Sequence, residues 1–362
     1  MNTEFYPIKI SKVERLTKDA VAIQFDLSTD MKKIFSYIQG QHITLRKQID
    51  GQDIRRSYSI CKGVNSDELQ IGIKAIQDGV FSNYANTQLQ AGMTIDIMPP
   101  QGHFYTELSP ENNKHYFLIA AGSGITPMLS HIESILSIEP NSKVTLLYGN
   151  KKVPLMMFKD RLSFIKNKYM SRFQWINCLT DQDNEAEILN GRVSPEKIIQ
   201  LHDSKLIDIS SFDEVFICGP EDMTLAIAEA FKFWEMKPEK IHYELFFSGT
   251  AEKKAIKTQA ERAEKFGHEA ANISIKVAGR QTKFKLEKGG DNILDAAMEE
   301  GADLPYSCKG GVCATCKAKV IKGNVEMDLN HSLTEQEVKD GMILTCQAHP
   351  ISDEVEIDFD FS

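Results

Sequence analysis

The chain has 362 residues, a net charge of −9, and 42% hydrophobic and 26% charged residues. That length exceeds what one hydrophobic core usually holds, and the composition is that of a globular protein, so we expect two or three domains. The acidic charge argues against a nucleic-acid partner, and no apolar run is long enough to cross a membrane.

The N-terminus and the cysteine content together predict a cytoplasmic protein. Residues 1–6 lack the basic and apolar regions of a signal peptide. The seven cysteines are an odd number, and Cys61, Cys178 and Cys218 are scattered along the chain. This usage fits a reducing compartment better than a disulfide framework.

Residues 1–109 predict a small antiparallel β-barrel. Short alternating strands at 21–27, 42–45 and 69–74 are separated by turn residues. The Pro-Pro-Gln-Gly run at 99–102 is expected to interrupt this strand pattern.

Two short strings in the predicted barrel suggest a flavin site. In the first, Arg56 suits a pyrophosphate, Tyr58 can stack on a flat ring system, and Ser59 can donate to a ring nitrogen. In the second, Gly79 and Ser82 lead into a predicted helix at 83–88, and amides at a helix start bind phosphate. Each string alone is common in ordinary strands and turns; together, before a nucleotide-type domain, they predict bound FAD.

Residues 110–248 predict a doubly wound α/β domain with a parallel sheet. The runs at 116–120, 144–148 and 214–218 are almost continuously apolar, as buried parallel strands are, and helical stretches follow them. Gly122, Gly124 and Thr126 stand between the first strand and a predicted helix at 128–136, where glycines let the backbone approach a pyrophosphate. The third glycine of the dinucleotide-binding fingerprint is absent.

Later strand ends of the same domain add further candidate residues. Cys218, Gly219 and Pro220 end a strand at the carboxyl edge, where ligands of open α/β sheets bind. Taken without that context, Cys218 is better interpreted as a small buried thiol. Lys151 follows the second strand and could meet a 2′-phosphate, which favours NADPH somewhat over NADH. A solvated lysine is nearly as good an interpretation.

Residues 249–270 form a predicted linker rich in Ala, Lys and Glu, and residues 271–362 form a third domain. This domain contains four cysteines in the spacing C-x4-C-x2-C followed by a distant fourth, which is the plant-type pattern of a [2Fe–2S] cluster; they are Cys308, Cys313, Cys316 and Cys346. A zinc site is the alternative, but zinc sites usually combine two short clips of ligands, and the second clip is missing here.

These elements, in this order, resemble the ferredoxin–NADP reductase superfamily fused to a C-terminal plant-type ferredoxin. Within it, the chain is most similar to the reductase components of phenylacetyl-CoA epoxidase (ring-1,2 monooxygenase) complexes. The resemblance implies an FAD-binding β-barrel, an NAD(P)-binding α/β domain and an α+β ferredoxin domain of β-grasp type. It also implies electron transfer from NADPH (or NADH) through FAD and the cluster to a di-iron, multi-subunit oxygenase in phenylacetate catabolism.

The resemblance also implies roles for individual residues. Ser59 would lie near the flavin N5, Cys218 would face the nicotinamide, and Phe246 would be the aromatic residue that ends the reductase unit, with Phe247 as the alternative by one position. Arg56 and Tyr58 would hold FAD, and the nucleotide contacts named above would follow the family pattern. Two alternatives stay open: the reductase of another oxygenase, acting on alkanes, steroids or aromatic rings, and a redox-sensing adaptor without turnover.

Overall fold

A computed structural model describes residues 4–246, 262 and 264–361. The chain divides into two compact units, Met1–Phe246 and Phe247–Ser362. Most of the predicted linker at 249–270, and Phe247 with it, lies outside the described residues. No helix in the described ranges is long and apolar enough to span a membrane.

The first unit contains a β-sheet that closes on itself. Its strands are β1 (Tyr6–Thr17), β2 (Ala20–Asp26), β3 (His42–Ile49), β4 (Gln52–Ser59), β5 (Leu69–Lys74) and β6 (Thr94–Gln101), with helices α1 (Thr29–Ile34) and α2 (Val80–Thr87). They pair antiparallel in the order β4-β3-β6-β1-β2-β5, and a bridge between Ile60 and Ile71 joins the two edges. Alternating apolar side chains fill the interior. The predicted barrel is confirmed.

Strand β6 differs from the sequence prediction at its end. The prolines at 99 and 100 were expected to interrupt the pattern, but the strand continues through them to Gln101. Pairing with β3 shifts register at this point, because His42 lies opposite Gln101 while Thr44 lies opposite Met98. Proline has no N–H to give to a ladder, and such irregular pairing is where a strand tolerates it.

The second half of the first unit is a parallel sheet covered by helices. Its strands are β7 (His115–Ala121), β8 (Lys143–Asn150), β9 (Phe173–Leu179), β10 (Glu214–Gly219) and β11 (Ile241–Leu245); its helices are α3 (Ile125–Ile138), α4 (Lys159–Lys168), α5 (Pro195–Asp203) and α6 (Glu221–Phe233). In the order β11-β10-β7-β8-β9, the chain adds β8 and β9 on one side of β7 and then adds β10 and β11 on its other side. This change of side opens a crevice at the carboxyl ends of β7 and β10, the usual ligand position of such sheets.

Helix α3 joins the parallel sheet to the barrel. The backbone N–H of Gly63 donates to Glu133 Oε2 at 2.9 Å, and that of Val64 donates to Ser134 Oγ at 3.0 Å. The Arg161 guanidinium donates two hydrogen bonds of 2.6 Å to the same Glu133 carboxylate. Because residues 63 and 64 closely follow β4, the helix that begins at the crevice is tied to the strand that carries the predicted flavin residues.

The second unit is a mixed sheet with short helices. Its described strands are β12 (Ala270–Val277), β13 (Arg280–Glu287), β14 (Lys317–Lys322), β15 (Val325–Met327), β16 (Met342–Leu344), β17 (Ala348–Pro350) and β18 (Glu354–Asp358), and its helices are α7 (Ile293–Glu299) and α8 (Glu335–Lys339). Five strands pair in the order β13-β12-β18-β14-β16, and β15 pairs with β17. Apolar residues of α7 share one core with the sheet. The predicted α+β domain of β-grasp type is confirmed.

Candidate functional site

Glycines bring the ends of β7 and β10 into contact at the crevice. Gly122 has a φ of +55°, a backbone conformation that suits glycine. At Gly124, a Cβ atom would lie 2.0 Å from the carbonyl oxygen of Cys218, so no other residue fits without displacing backbone. Thr126 Oγ1 donates to the Ser123 carbonyl at 3.0 Å and closes the loop at the start of α3. The turn therefore lets α3 begin directly at this edge, although the Ile125 N–H is bonded to the Gly122 and Ser123 carbonyls within the turn.

The neighbouring strand ends complete this edge. A Cβ at Gly219 would lie 2.6 Å from Met223 Cε and 3.2 Å from Ala121 Cβ, and Pro220 caps α6. Lys151 is exposed directly after β8, on the outer side of β7. The structure thus places the predicted nucleotide residues after β7, β8 and β10 along one sheet edge, the arrangement that fits a pyridine nucleotide.

Ser59 faces the end of β11 rather than solvent. Its side chain is buried, and its Oγ donates to Glu244 Oε2 at 3.0 Å. Glu244 lies opposite Cys218 in the parallel pairing of β10 and β11, and its Oε1 is 3.8 Å from His42 Nδ1. The barrel and the parallel sheet therefore meet at three polar side chains, Ser59, His42 and Glu244, with Cys218 on the neighbouring strand. With its proton engaged by the carboxylate, the Ser59 hydroxyl has only acceptor capacity left, so in this arrangement it cannot make the donation to a ring nitrogen that the sequence predicts.

Glu244 is not among the residues that the sequence patterns predict for this site. A local signal was present: an acidic residue stands near the end of a short strand that runs to the same carboxyl edge as Cys218. What no local pattern gives is its contact with Ser59, which is 185 positions away in the chain.

Cys218 is a neutral thiol in this environment. Burial, and next the neighbouring Glu244 carboxylate, raise the pKa of Cys218 well above its usual value. A thiol held protonated is a poor nucleophile. Cys218 therefore acts at this edge as a small, uncharged side chain beside the crevice rather than as a nucleophile.

Tyr58 connects β4 to helix α2. Its half-buried ring lies 5.7 Å from the ring of Phe81, and Gly79 caps the start of the same helix. Ser82 Oγ donates to the Gly79 carbonyl at 3.3 Å. The two predicted flavin strings thus lie side by side, with the Arg56 side chain exposed next to them. An aromatic ring, a cation and a helix start fit a flavin with its pyrophosphate.

Phe246 is the last described residue of the first unit. It is half-buried and packs against the apolar core that the barrel shares with the parallel sheet. Its predicted place beside the flavin stays a prediction, as do the binding roles of the other candidate residues.

The four predicted cluster cysteines lie together in the second unit. Cys316 Sγ and Cys346 Sγ are 3.3 Å apart, and the Gly310 N–H points at Cys308 Sγ from 3.3 Å. The connecting loop turns through left-handed conformations at Lys309, Gly311 and Ala314, with φ of 53°, 72° and 53°. Non-glycine residues such as Lys309 and Ala314 seldom adopt such angles. The turns explain how one short loop supplies three sulfurs.

Crowding of the sulfurs disfavours their charge in the protein alone. A hydrogen bond with Cys313, followed by burial, raises the pKa of Cys308 well above its usual value, and Cys316 with burial does the same for Cys346. Bound iron reverses this preference because a coordinating thiol is deprotonated outright. The described residues contain no group of three His, Cys, Asp or Glu side chains arranged for a single metal ion. A [2Fe–2S] cluster needs none, since it takes two thiolates on each iron.

Three family matches cover most of the chain. Residues 7–105 match the oxidoreductase FAD-binding domain, residues 118–229 the oxidoreductase NAD-binding domain, and residues 275–350 the 2Fe-2S iron-sulfur cluster binding domain. The predicted cofactors, FAD, a pyridine nucleotide and a [2Fe–2S] cluster, are confirmed at the level of these domains.

Two relatives and one solved structure match nearly the whole chain. The E component of the 1,2-phenylacetyl-CoA epoxidase of Escherichia coli is 40% identical over 93% of this chain and 92% of its own length. The ferredoxin reductase component of 3-ketosteroid-9-alpha-monooxygenase from Rhodococcus rhodochrous is 28% identical over 92% of this chain and 90% of its own. Among solved structures, phthalate dioxygenase reductase matches 98% of both chains with a TM-score of 0.59 at 19% identity, which supports the fold.

Proposed function

We propose that this chain, which belongs to the family of reductases that join FAD-binding, NAD-binding and 2Fe-2S domains, passes electrons from NADPH to an oxygenase. When bound, FAD accepts an electron pair from the nicotinamide and passes it on singly, and the cluster takes one electron at a time. Plant-type clusters have potentials of about −400 mV, low enough to reduce an oxygenase metal centre.

The oxygenase we propose is a phenylacetyl-CoA epoxidase, with a di-iron centre and several subunits, in the cytoplasm. The support is the 40% identity to the E component of that enzyme in E. coli, against 28% to the steroid monooxygenase component over similar coverage. Cys61, Cys178 and Cys218, the cysteines outside the cluster, form no disulfide, which agrees with a reducing compartment.

The meeting of Ser59, Cys218 and Glu244 carries the proposal. Ser59, at the end of the predicted flavin strand, is hydrogen-bonded to Glu244, and Glu244 lies opposite Cys218 at the predicted nicotinamide edge. We assign Ser59 to the flavin ring, Cys218 to the nicotinamide face, and Glu244 to fixing the Ser59 hydroxyl. Phe246 would flank the flavin from the end of β11.

Lys151 is proposed as the residue that recognises the 2′-phosphate. An exposed charge pair contributes about 1 kcal/mol, so Lys151→Gln should raise the KM for NADPH about fivefold and leave that for NADH unchanged. Lys143→Gln makes the same change at the opposite end of β8, where the side chain is also exposed. An equal rise in the KM for NADPH and for NADH would show that Lys151 does not recognise the 2′-phosphate.

Reconstitution tests the function as a whole. The purified protein with its FAD and cluster is combined with the other epoxidase components and phenylacetyl-CoA, and NADPH oxidation is followed together with product. We expect substrate-dependent turnover. Turnover only with a steroid hydroxylase component would favour the other oxygenase class. No NADPH-dependent cytochrome c reduction, with both groups bound, would favour a redox-sensing adaptor.

A further inference from the structure

A buried ionic triad in the second unit lies outside the cysteine loop. Arg262, Asp328 and His349 have side chains that are only 4%, 6% and 5% exposed. Arg262 Nη1 donates to Asp328 Oδ1, and Nη2 donates to Oδ2 at 2.9 Å. The same Nη2 is 3.0 Å from His349 Nε2. The guanidinium thus contacts two groups that are distant in sequence.

The triad needs its cation. Burial acts to raise the pKa of Asp328, but the hydrogen bonds from His349 and Arg262 outweigh it and lower the pKa below the usual value. Without Arg262, the buried Asp328 carboxylate would lose its bidentate cation and keep only the contact with His349, which is more unfavourable than losing a surface pair. Arg262 therefore keeps a negative charge acceptable in an apolar setting.

Asp328 is hydrogen-bonded to the residue that follows the fourth cysteine. Its backbone N–H donates to the Gln347 carbonyl at 2.9 Å. Gln347 Nε2 in turn donates to the carbonyls of Lys309 and Cys346, each at 2.9 Å. One side chain thus connects the loop of the first three cysteines to the turn of the fourth, and Asp328 holds that residue in place.

We propose that Arg262 is a positioning residue for electron transfer through the cluster. It neutralises Asp328 beside the Gln347 turn, and so it raises the reduction potential of the cluster and keeps the two ligand segments in register. Arg262 lies in the stretch between the NAD-binding and 2Fe-2S family matches, so neither domain assigns it a role. The proposal rests on the cluster and not on which oxygenase is served.

The test compares Arg262→Gln with a charge-balanced double variant, Arg262→Gln with Asp328→Asn. The cluster potential is measured by EPR-monitored redox titration of the whole protein, with thermal unfolding followed in parallel. With only His349 left beside it, the Asp328 carboxylate should oppose addition of an electron. We expect about a tenfold shift in the one-electron equilibrium, or about 59 mV more negative. The double variant should return most of the way to the wild-type potential.

Arg280→Gln is the matched control, because it removes the same charge from an exposed position of the same unit. It should leave the potential unchanged, and flavin reduction by NADPH should be normal in every variant. A wild-type potential in Arg262→Gln, with only a lower unfolding temperature, would overturn the proposal. So would a double variant as negative as the single one. If Arg262→Gln does not retain its cluster, Arg262→Lys and the double variant provide the test instead. The cluster potential of both should lie near the wild-type value. A displaced potential in both would reject the proposal.

Discussion

Glu244→Gln tests whether the contact between the barrel and the parallel sheet serves hydride delivery. The change keeps the shape of the side chain and removes the charge that receives the Ser59 hydroxyl at 3.0 Å. A hydrogen bond to a charged group contributes about 1.5–3 kcal/mol and a neutral one about 0.5–1.5, so the loss is about 1 kcal/mol. If the bond positions Ser59 for the reaction, flavin reduction by NADPH slows about fivefold.

Anaerobic stopped-flow at the flavin absorbance band measures this step directly. Ser59→Ala should slow it to a similar extent, and the double variant should be no slower than the worse single one, because both changes break the same bond. Glu239→Gln, an exposed position ahead of β11, controls for a change of charge nearby. A wild-type rate of flavin reduction in Glu244→Gln would refute a shared role of Glu244 and Ser59. So would a double variant in which the effects of the two single substitutions on that rate multiply.

Three further predictions concern other parts of the molecule. Cys313→Ser should leave flavin reduction by NADPH intact and reduce one-electron delivery to cytochrome c at least tenfold, because only the cluster is lost; equal loss of both would contradict separate sites. Gly124→Ala should raise the NADPH dissociation constant at least tenfold with FAD still bound, because the new Cβ would collide with the Cys218 carbonyl; unchanged binding in titrations would refute the close approach. Burial lowers the pKa of His131 to about 3, whereas the unfolded value is about 6.5. Its contribution to stability is complete above pH 6.5 and is lost as the pH falls towards 3, so the unfolding temperature should fall less steeply with acid in His131→Gln than in wild type or in the exposed control His202→Gln.

Much of the fold follows from local patterns. The sequence prediction for strand β5 at 69–74 has both ends correct, whereas helix α3 begins three residues earlier than the predicted helix at 128–136. The sequence already indicates Pro127 for the first helical turn, where a missing N–H has no consequence, and the structure adds Ile125 and Thr126 to that turn. Helix α2 likewise begins at Val80 rather than at 83.

The predicted strand end at Pro99 and Pro100 is wrong for a different reason. Proline lacks the N–H that a regular strand pairing needs. The sequence cannot show that the pairing of β6 with β3 is irregular next to these prolines. Strand pairing is decided by residues more than fifty positions away, so the tolerance of β6 for two prolines is a property of the folded barrel.

The candidate sites divide in the same way between local and long-range information. The cysteine loop and the glycine turn are encoded within short segments, because ligand spacing and backbone approach are local requirements. Their supporting contacts are long-range: Ser59 meets Glu244 across 185 positions, and Arg262 meets His349 across 87. A motif can therefore indicate which cofactor binds, while the residues that adjust its reactivity come from strands that only the fold brings together. If electron transfer depends on such contacts, substitutions at Glu244 and Arg262 should alter rates and potentials while leaving every motif intact.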